Sequence, residues 1–204
     1  MIPSNRERTV AALFLAVSLL LTMLVSAAVS FFKDCDTLRE EFLRLHILAN
    51  SDSEEDQRIK LAVRDHLLSL GLFIEETDKS QTIKAAQAQL PMIEAAANSE
   101  LLRQGSSDTA KAELVRMYFT TRVYENVTLP AGYYDAVRIT IGGGAGKNWW
   151  CVLYPPLCIP AAAAEEPLDI LSPEEQDIVT EEGYEVRFFL VELYENFCRF
   201  LFGE

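Results

Sequence analysis

Two tryptophans and two cysteines lie close together in the stretch NWWCVLYPPLC, which occupies residues 148–158. Adjacent side chains of a strand point to opposite faces, so only one of Trp149 and Trp150 can enter the core. A large exposed aromatic side chain is a common anchor in protein recognition. We therefore predict a partner-binding surface at Trp149, Trp150 and Tyr154. The alternative is that the second tryptophan is buried under the C-terminal helix.

Cys151 and Cys158 flank a Pro-Pro turn in the same stretch. If Tyr154 and the first proline are the central residues of that turn, the two cysteines stand opposite one another, at a separation compatible with a disulfide. We predict this disulfide as a staple of the turn, and two buried free thiols are the alternative. Together with Cys35 and Cys198 the chain has four cysteines, which allow three pairings.

The string IGGGAGKN, residues 141–148, invites comparison with a phosphate-binding loop. In the pattern G-x-x-x-x-G-K-[ST], glycine is needed where this chain has Ile141, and Ser or Thr is needed where it has Asn148. A β-rich run follows the string, so no helix N-terminus is available for a phosphate. We interpret these residues as a flexible hairpin loop.

Residue patterns typical of enzymes and metal sites are missing from the sequence. It contains no G-x-S-x-G, H-E-x-x-H or S-x-x-K motif and no C-x-x-C pair. His46 is expected on the polar, solvent side of a strand, without an acid or nucleophile spaced to pair with it. We predict a protein that is not an enzyme and has no metal or cofactor. A catalytic site assembled from distant residues is the alternative.

The charge of the chain is strongly negative. Its 204 residues, half of them hydrophobic, carry a net charge of -13, which opposes binding to nucleic acid. The length suggests one domain.

Nine acidic residues and no Lys or Arg lie between Glu165 and Val186. We interpret residues 160–183 as an acidic, solvated linker, and a docking surface for a basic partner is the alternative.

The N-terminal segment is apolar enough to cross a membrane. Residues 10–32 contain no charge and follow Arg6 and Arg8, so the N-terminus is expected to stay inside while the rest is exported. Small residues at positions 26–30 fit a cleavage site, whereas the length favours retention, and both outcomes stay open. We divide the chain into a signal peptide or membrane anchor, residues 1–32, and an exported domain, residues 33–204.

The exported part has the pattern of an α+β fold, an antiparallel sheet packed with helices behind the N-terminal helix. Helical spacing of apolar residues predicts helices from Ser51 or Ser53 to Gly71, from Ser80 to Arg103 and over residues 184–202. At Pro91 the alternatives are a kink or the start of a second helix, and an extended start is the alternative for the last helix. Alternation at period two predicts strands, which are residues 43–47, 115–119, 137–141 and 148–154. Short connections favour antiparallel pairing among the later strands.

Three stretches resemble the stage II sporulation protein R family of endospore-forming bacteria. They are LHILANSDSEEDQRIKLAVRDHLL from Leu45, LPAGYYDAVRITIGGGAGKNWWCVLYPPLC from Leu129 and YEVRFFLVEL from Tyr184. The resemblance implies an exported protein made in the forespore that reaches the space between the forespore and mother-cell membranes. It also implies that the protein stimulates a membrane-embedded aspartic protease, which then cleaves the mother-cell sigma factor precursor. An exported or membrane-anchored hydrolase and a passive wall or coat component are the alternatives.

Overall fold

A computed structural model describes residues 5–71, 78–124, 127–155, 176, 178–179 and 184–202. The chain divides into two compact units, Met1–Thr37 and Leu38–Glu204. We predicted a boundary five residues earlier, after residue 32. Most of the predicted acidic linker, residues 160–183, lies outside the described residues.

Helix α1, Asn5–Glu41, contains the apolar N-terminal segment. Within its part from Thr9 to Glu41, the most apolar window of 18 residues has a mean hydropathy of 2.5 and none of it is buried. By length and composition this helix can cross a membrane, and a signal sequence near the N-terminus has the same properties. The segment is therefore compatible with either a signal peptide or an anchor.

Three further helices have both of their ends within the described residues, and all three belong to the second unit. Helix α2, Glu54–Ser69, begins after Ser53, whose hydroxyl accepts a hydrogen bond from the Asp56 backbone N–H at 3.1 Å. Helix α3, Lys79–Arg103, is a single helix with Pro91 inside it. Helix α4, Tyr184–Phe202, matches the predicted C-terminal helix.

Six strands in the described part of the chain form two sheets. They are β1 Leu43–Leu48, β2 Ala110–Phe119, β3 Arg122–Tyr124, β4 Val127–Leu129, β5 Gly132–Ile141 and β6 Asn148–Tyr154. The larger sheet has the order β2-β5-β1-β6, and β3 pairs with β4 in a small antiparallel sheet. The predicted α+β class is confirmed.

The pairing of β1 departs from an all-antiparallel sheet. β1 is antiparallel to β6 but parallel to β5. A parallel partner is available because the connection from β1 to β5 runs through α2, α3 and β2 and is long enough for a crossover. β5 and β6 follow one another in the chain, yet β1 lies between them, so they form no hairpin.

The hydrophobic core lies between one face of the large sheet and helices α2 and α3. β1 contributes Leu43, Leu45 and Ile47 from alternate positions, as predicted. The helices contribute buried residues at helical spacing, which are Ile59, Val63 and Leu67 of α2 and Ile93, Ala97 and Leu101 of α3. The intervening side chains of β1 are buried too, so both faces of this strand are covered.

Candidate recognition site at the end of the central strand

The chain after β1 and the loop between β5 and β6 are joined by hydrogen bonds. We call these two segments, residues 49–53 and 142–147, the loop junction. The bonded pairs are Gly146 N to Ala49 O at 2.9 Å, Ala145 N to Asn50 O at 3.1 Å, Gly143 N to Asn50 Oδ1 at 2.9 Å and Lys147 N to Asp52 Oδ1 at 2.7 Å. The glycine-rich loop is therefore not the flexible hairpin that we expected. It crosses the end of β1 and is held there.

Close approach explains why glycines occupy this loop. A Cβ atom on Gly146 would lie 2.2 Å from the backbone oxygen of Ser51. A Cβ atom on Gly142 would lie 2.3 Å from Oδ1 of Asn50, and the φ angle of Gly142 is +55°, which also favours glycine. Gly146 therefore lets two backbones approach, and Gly142 leaves room for the Asn50 side chain. Close packing accounts for both glycines without a bound phosphate.

The acidic and hydroxyl residues after β1 build the other half of the junction. Asp56 accepts hydrogen bonds from the Ser51 hydroxyl at 2.5 Å and from the Asn50 amide at 3.3 Å. These bonds, the one from Ser51 first, hold the pKa of the Asp56 carboxyl below its usual range. α2 is capped by Ser53, one of the two expected caps, and the stretch NSDSEED also supplies the contacts with the loop, which the sequence did not indicate.

Trp149 and Trp150 point to opposite faces of the sheet. Trp149 packs against the hydrophobic core, and the Arg64 guanidinium lies 5.0 Å from its ring centroid. Trp150 stacks on His46 with a centroid distance of 3.9 Å and meets Phe119 edge-on at 4.7 Å. Both tryptophans are partly exposed. Their contact with a partner stays a prediction.

His46 is buried, with only 3% of its surface exposed, although we expected it on the solvent side. A ring nitrogen lies 2.7 Å from Oδ1 of Asn148, the first residue of β6. Burial lowers the pKa of His46 to about 4, so the imidazole is neutral near pH 7. Its expected structural role agrees with these contacts, whereas its expected solvent exposure is wrong because aromatic side chains cover this face.

Arg44 is a fully buried cation that the sequence did not identify. Its guanidinium lies 4.3 Å from the Phe119 ring centroid and 4.9 Å from that of Tyr134, and its Nε donates to the Cys151 carbonyl at 3.2 Å. Desolvation lowers its pKa. The sequence signal for a buried arginine was the abundance of aromatic residues in the strands, since a guanidinium stacks favourably on aromatic rings.

Two of the remaining predicted residues, Tyr154 and Cys151, are buried. Tyr154 is 4% exposed and belongs to the core, so its ring offers no surface to a partner in the folded domain. Cys151 is buried and disulfide-bonded. Cys158 lies outside the described residues, so the pairing of Cys151 with Cys158 stays a prediction.

Several ionisable groups elsewhere on the described surface are paired or act as caps. A groove of about 560 Å³ is lined by residues that include Asp78, Lys79, Arg116 and Asp135. Lys79 Nζ lies 3.0 Å from Asp135. Asp78 caps α3, and the backbone N–H of Gln81 lowers its pKa, which is the opposite of what a general acid needs. Within the described ranges, no three His, Cys, Asp or Glu side chains are grouped for metal binding.

Comparison with known proteins identifies the family. The family model for stage II sporulation protein R matches residues 39–164, which include the six described strands and the loop junction. Stage II sporulation protein R of Bacillus subtilis (strain 168) is 32% identical over 178 residues, which cover 75% of this chain and 80% of the relative. No solved structure matches. The chain belongs to the stage II sporulation protein R family.

Proposed function

We propose that this protein is an exported sporulation signal that activates a membrane-embedded aspartic protease in the mother-cell membrane. Activation then leads to processing of the mother-cell sigma factor precursor. Membership of the stage II sporulation protein R family is the observation that carries this proposal, because it ties the chain to sporulation. The protein acts in this scheme through contact with the protease and not as a catalyst.

The N-terminal segment supports the exported location. Residues 10–32 are apolar and uncharged, and Arg6 and Arg8 precede them. Positive charges before an apolar segment favour a cytoplasmic N-terminus, which sends the following domain across the membrane. In a forespore, that direction of export leads to the space between the two membranes, where the protease can be reached.

The loop junction supports a role in recognition. Its backbone is fixed by hydrogen bonds, while Asp52, Gly143, Ala145 and Lys147 are exposed along its rim. A surface that is rigid before binding loses little conformational entropy on binding. We propose this rim, together with the exposed parts of Trp149 and Trp150, as the surface that contacts the protease.

Co-expression in a non-sporulating host tests the proposal. The host produces the candidate protease and the sigma precursor, with or without this protein, and precursor cleavage is followed by immunoblot. We expect cleavage to require this protein. Equal cleavage in its absence would contradict the activator function.

A charge reversal at the rim tests the contact surface in the same assay. Lys147→Glu changes an exposed side chain while the backbone bond to Asp52 is kept, and we expect severalfold less cleavage. Lys84→Glu reverses an exposed charge on α3 and serves as the matched control. Equal cleavage with both variants, at equal protein levels, would contradict the rim as the contact surface. It would leave the proposed activator function unaffected.

A further inference from the structure

Helix α4 has apolar side chains on two opposite sides. Phe188 and Val191 are fully buried against the domain. A second set, which we call the outer face, is 55–85% exposed and consists of Phe189, Leu190, Leu193, Phe197, Phe200 and Leu201. At about 100° per residue, these six side chains fall within an arc of about 120° on the side away from Phe188. A soluble helix normally presents polar residues on that side.

Contacts from the inner side hold α4 in this orientation. Glu195 pairs with Arg39 at 3.1 Å, and both side chains are largely buried. The guanidinium of Arg199 lies 4.3 Å from the ring centroid of Tyr118 on β2. Because these contacts and the burial of Phe188 fix one side of the helix, the outer face stays turned away from the domain.

We propose that the outer face of α4 lies on a lipid bilayer, with its phenylalanine and leucine side chains at the boundary between headgroups and acyl chains. The chain itself brings α4 to the bilayer. Arg39, which binds Glu195, follows the end of the apolar segment at Phe32 by seven residues, and seven residues span at most about 25 Å. While the apolar segment is retained, α4 cannot move far from the membrane surface.

The chemistry of the outer face specifies the kind of lipid surface. It contains no Lys or Arg, and the whole chain carries a net charge of -13. Binding therefore depends on burial of apolar side chains and gains nothing from anionic headgroups. We expect α4 to prefer bilayers of zwitterionic lipid. This inference is independent of the proposed protease activation.

Lipid quenching of a tryptophan placed on the outer face tests the inference. The full chain is reconstituted in phosphatidylcholine vesicles whose acyl chains are brominated close to the headgroup. The variant is Phe197→Trp, and the matched control is Leu102→Trp, at a position of α3 that is 75% exposed. The fluorescence of the wild-type protein supplies the background from Trp149 and Trp150.

We expect the brominated lipid to quench the added fluorescence of Phe197→Trp severalfold more strongly than that of Leu102→Trp. Equal quenching of the two would overturn the proposal. Protection from aqueous acrylamide without lipid quenching would also overturn it, because a second copy or another protein segment would then cover the face. Leu193→Trp, also on the outer face, replaces Phe197→Trp if circular dichroism shows that the first variant is misfolded. Vesicles with anionic lipid should give weaker quenching.

Discussion

Arg44 and His46 are polar residues whose surroundings are largely aromatic. Arg44 lies over Phe119 and Tyr134, and His46 stacks on Trp150. A cation over an aromatic ring gains about 0.5–2 kcal/mol, which offsets part of the cost of taking Arg44 out of water. His46 avoids that cost by being neutral. This face of β1 is therefore built from ring contacts that depend on one another.

The lowered pKa of His46 predicts a pH-dependent stability. The His46 imidazole has a pKa of 6.5 in the unfolded chain, whereas in the folded chain its pKa is about 4. Stability is therefore expected to fall as the pH drops from about 6.5 to 4, by at most about 1.4 kcal/mol per pH unit from this group. Thermal unfolding of the detergent-solubilised chain at several pH values measures the slope.

His46→Gln should remove this contribution, so that its melting temperature falls less steeply than that of the wild type in this pH window. His66→Gln changes the other histidine of the chain and should leave the contribution of His46 in place. An equal slope for wild type and His46→Gln would show that other groups cause the acid sensitivity.

The two tryptophans should contribute to stability and to recognition in separable ways. Truncation of either to alanine removes packing on its own face of the sheet, and we expect a loss of about 2–3 kcal/mol, since both are only partly buried. Trp150→Phe keeps an aromatic ring next to His46 and should retain most of the stability. Denaturant unfolding measures the loss, and the co-expression assay measures activation.

If Trp150 is a contact residue, Trp150→Phe should stay folded and activate poorly. Trp149→Phe is the matched variant on the opposite face. Full activation by both phenylalanine variants would restrict the tryptophans to a packing role.

At the scale of elements, the sequence predicts the helices better than the sheet. The bounds of α2 and α3 follow from apolar spacing and from the caps beside each helix, and those of α4 follow from apolar spacing. The burial of Arg44 and the role of Gly146 depend on partners far away in the chain, such as Phe119 and Ser51. Alternation at period two shows which side chains of β1 share a face, but it does not show what covers that face.

Glycine substitutions in one loop test how the loop junction is built. Gly146→Ala places a methyl group against the Ser51 backbone, and we expect a loss of about 1–3 kcal/mol, typical of overpacking. Gly143→Ala meets only Oδ1 of Asn50, at 3.6 Å, and serves as the matched control with little expected loss. Denaturant unfolding of both variants measures the difference. Equal stability would mean that the two segments separate at little cost.

At the scale of the whole molecule, the N-terminal segment and the second unit are expected to have separate tasks. The family match begins at residue 39, after the apolar segment, and the loop junction lies within it. The membrane contact proposed for α4 also uses residues of the second unit. Recognition of a partner is thus expected to depend on the domain. The N-terminal segment is expected to deliver the domain across the membrane.

Replacement of residues 1–30 by an unrelated cleavable signal should preserve activation in the co-expression assay. Cell fractionation and immunoblotting verify export of the replaced protein. Normal export with lost activation would mean that the native segment itself takes part in signalling, either by contacting the protease or by holding the domain at the membrane. An unrelated membrane anchor that is not cleaved separates these two cases. It should restore activation if the native segment only holds the domain at the membrane, but not if that segment contacts the protease.

The position of β1 between β5 and β6 has a consequence for the order of folding. Asn148 follows its partner His46 by 102 residues. In the export proposed above, the central strand therefore leaves the export machinery long before its last neighbour. Loops this long close slowly, and the sheet cannot be completed until β6 has emerged. The domain is therefore expected to stay open to proteases throughout most of its translocation. A chain that ends before Asn148 should remain protease-sensitive, whereas one that ends after the C-terminal helix should become resistant.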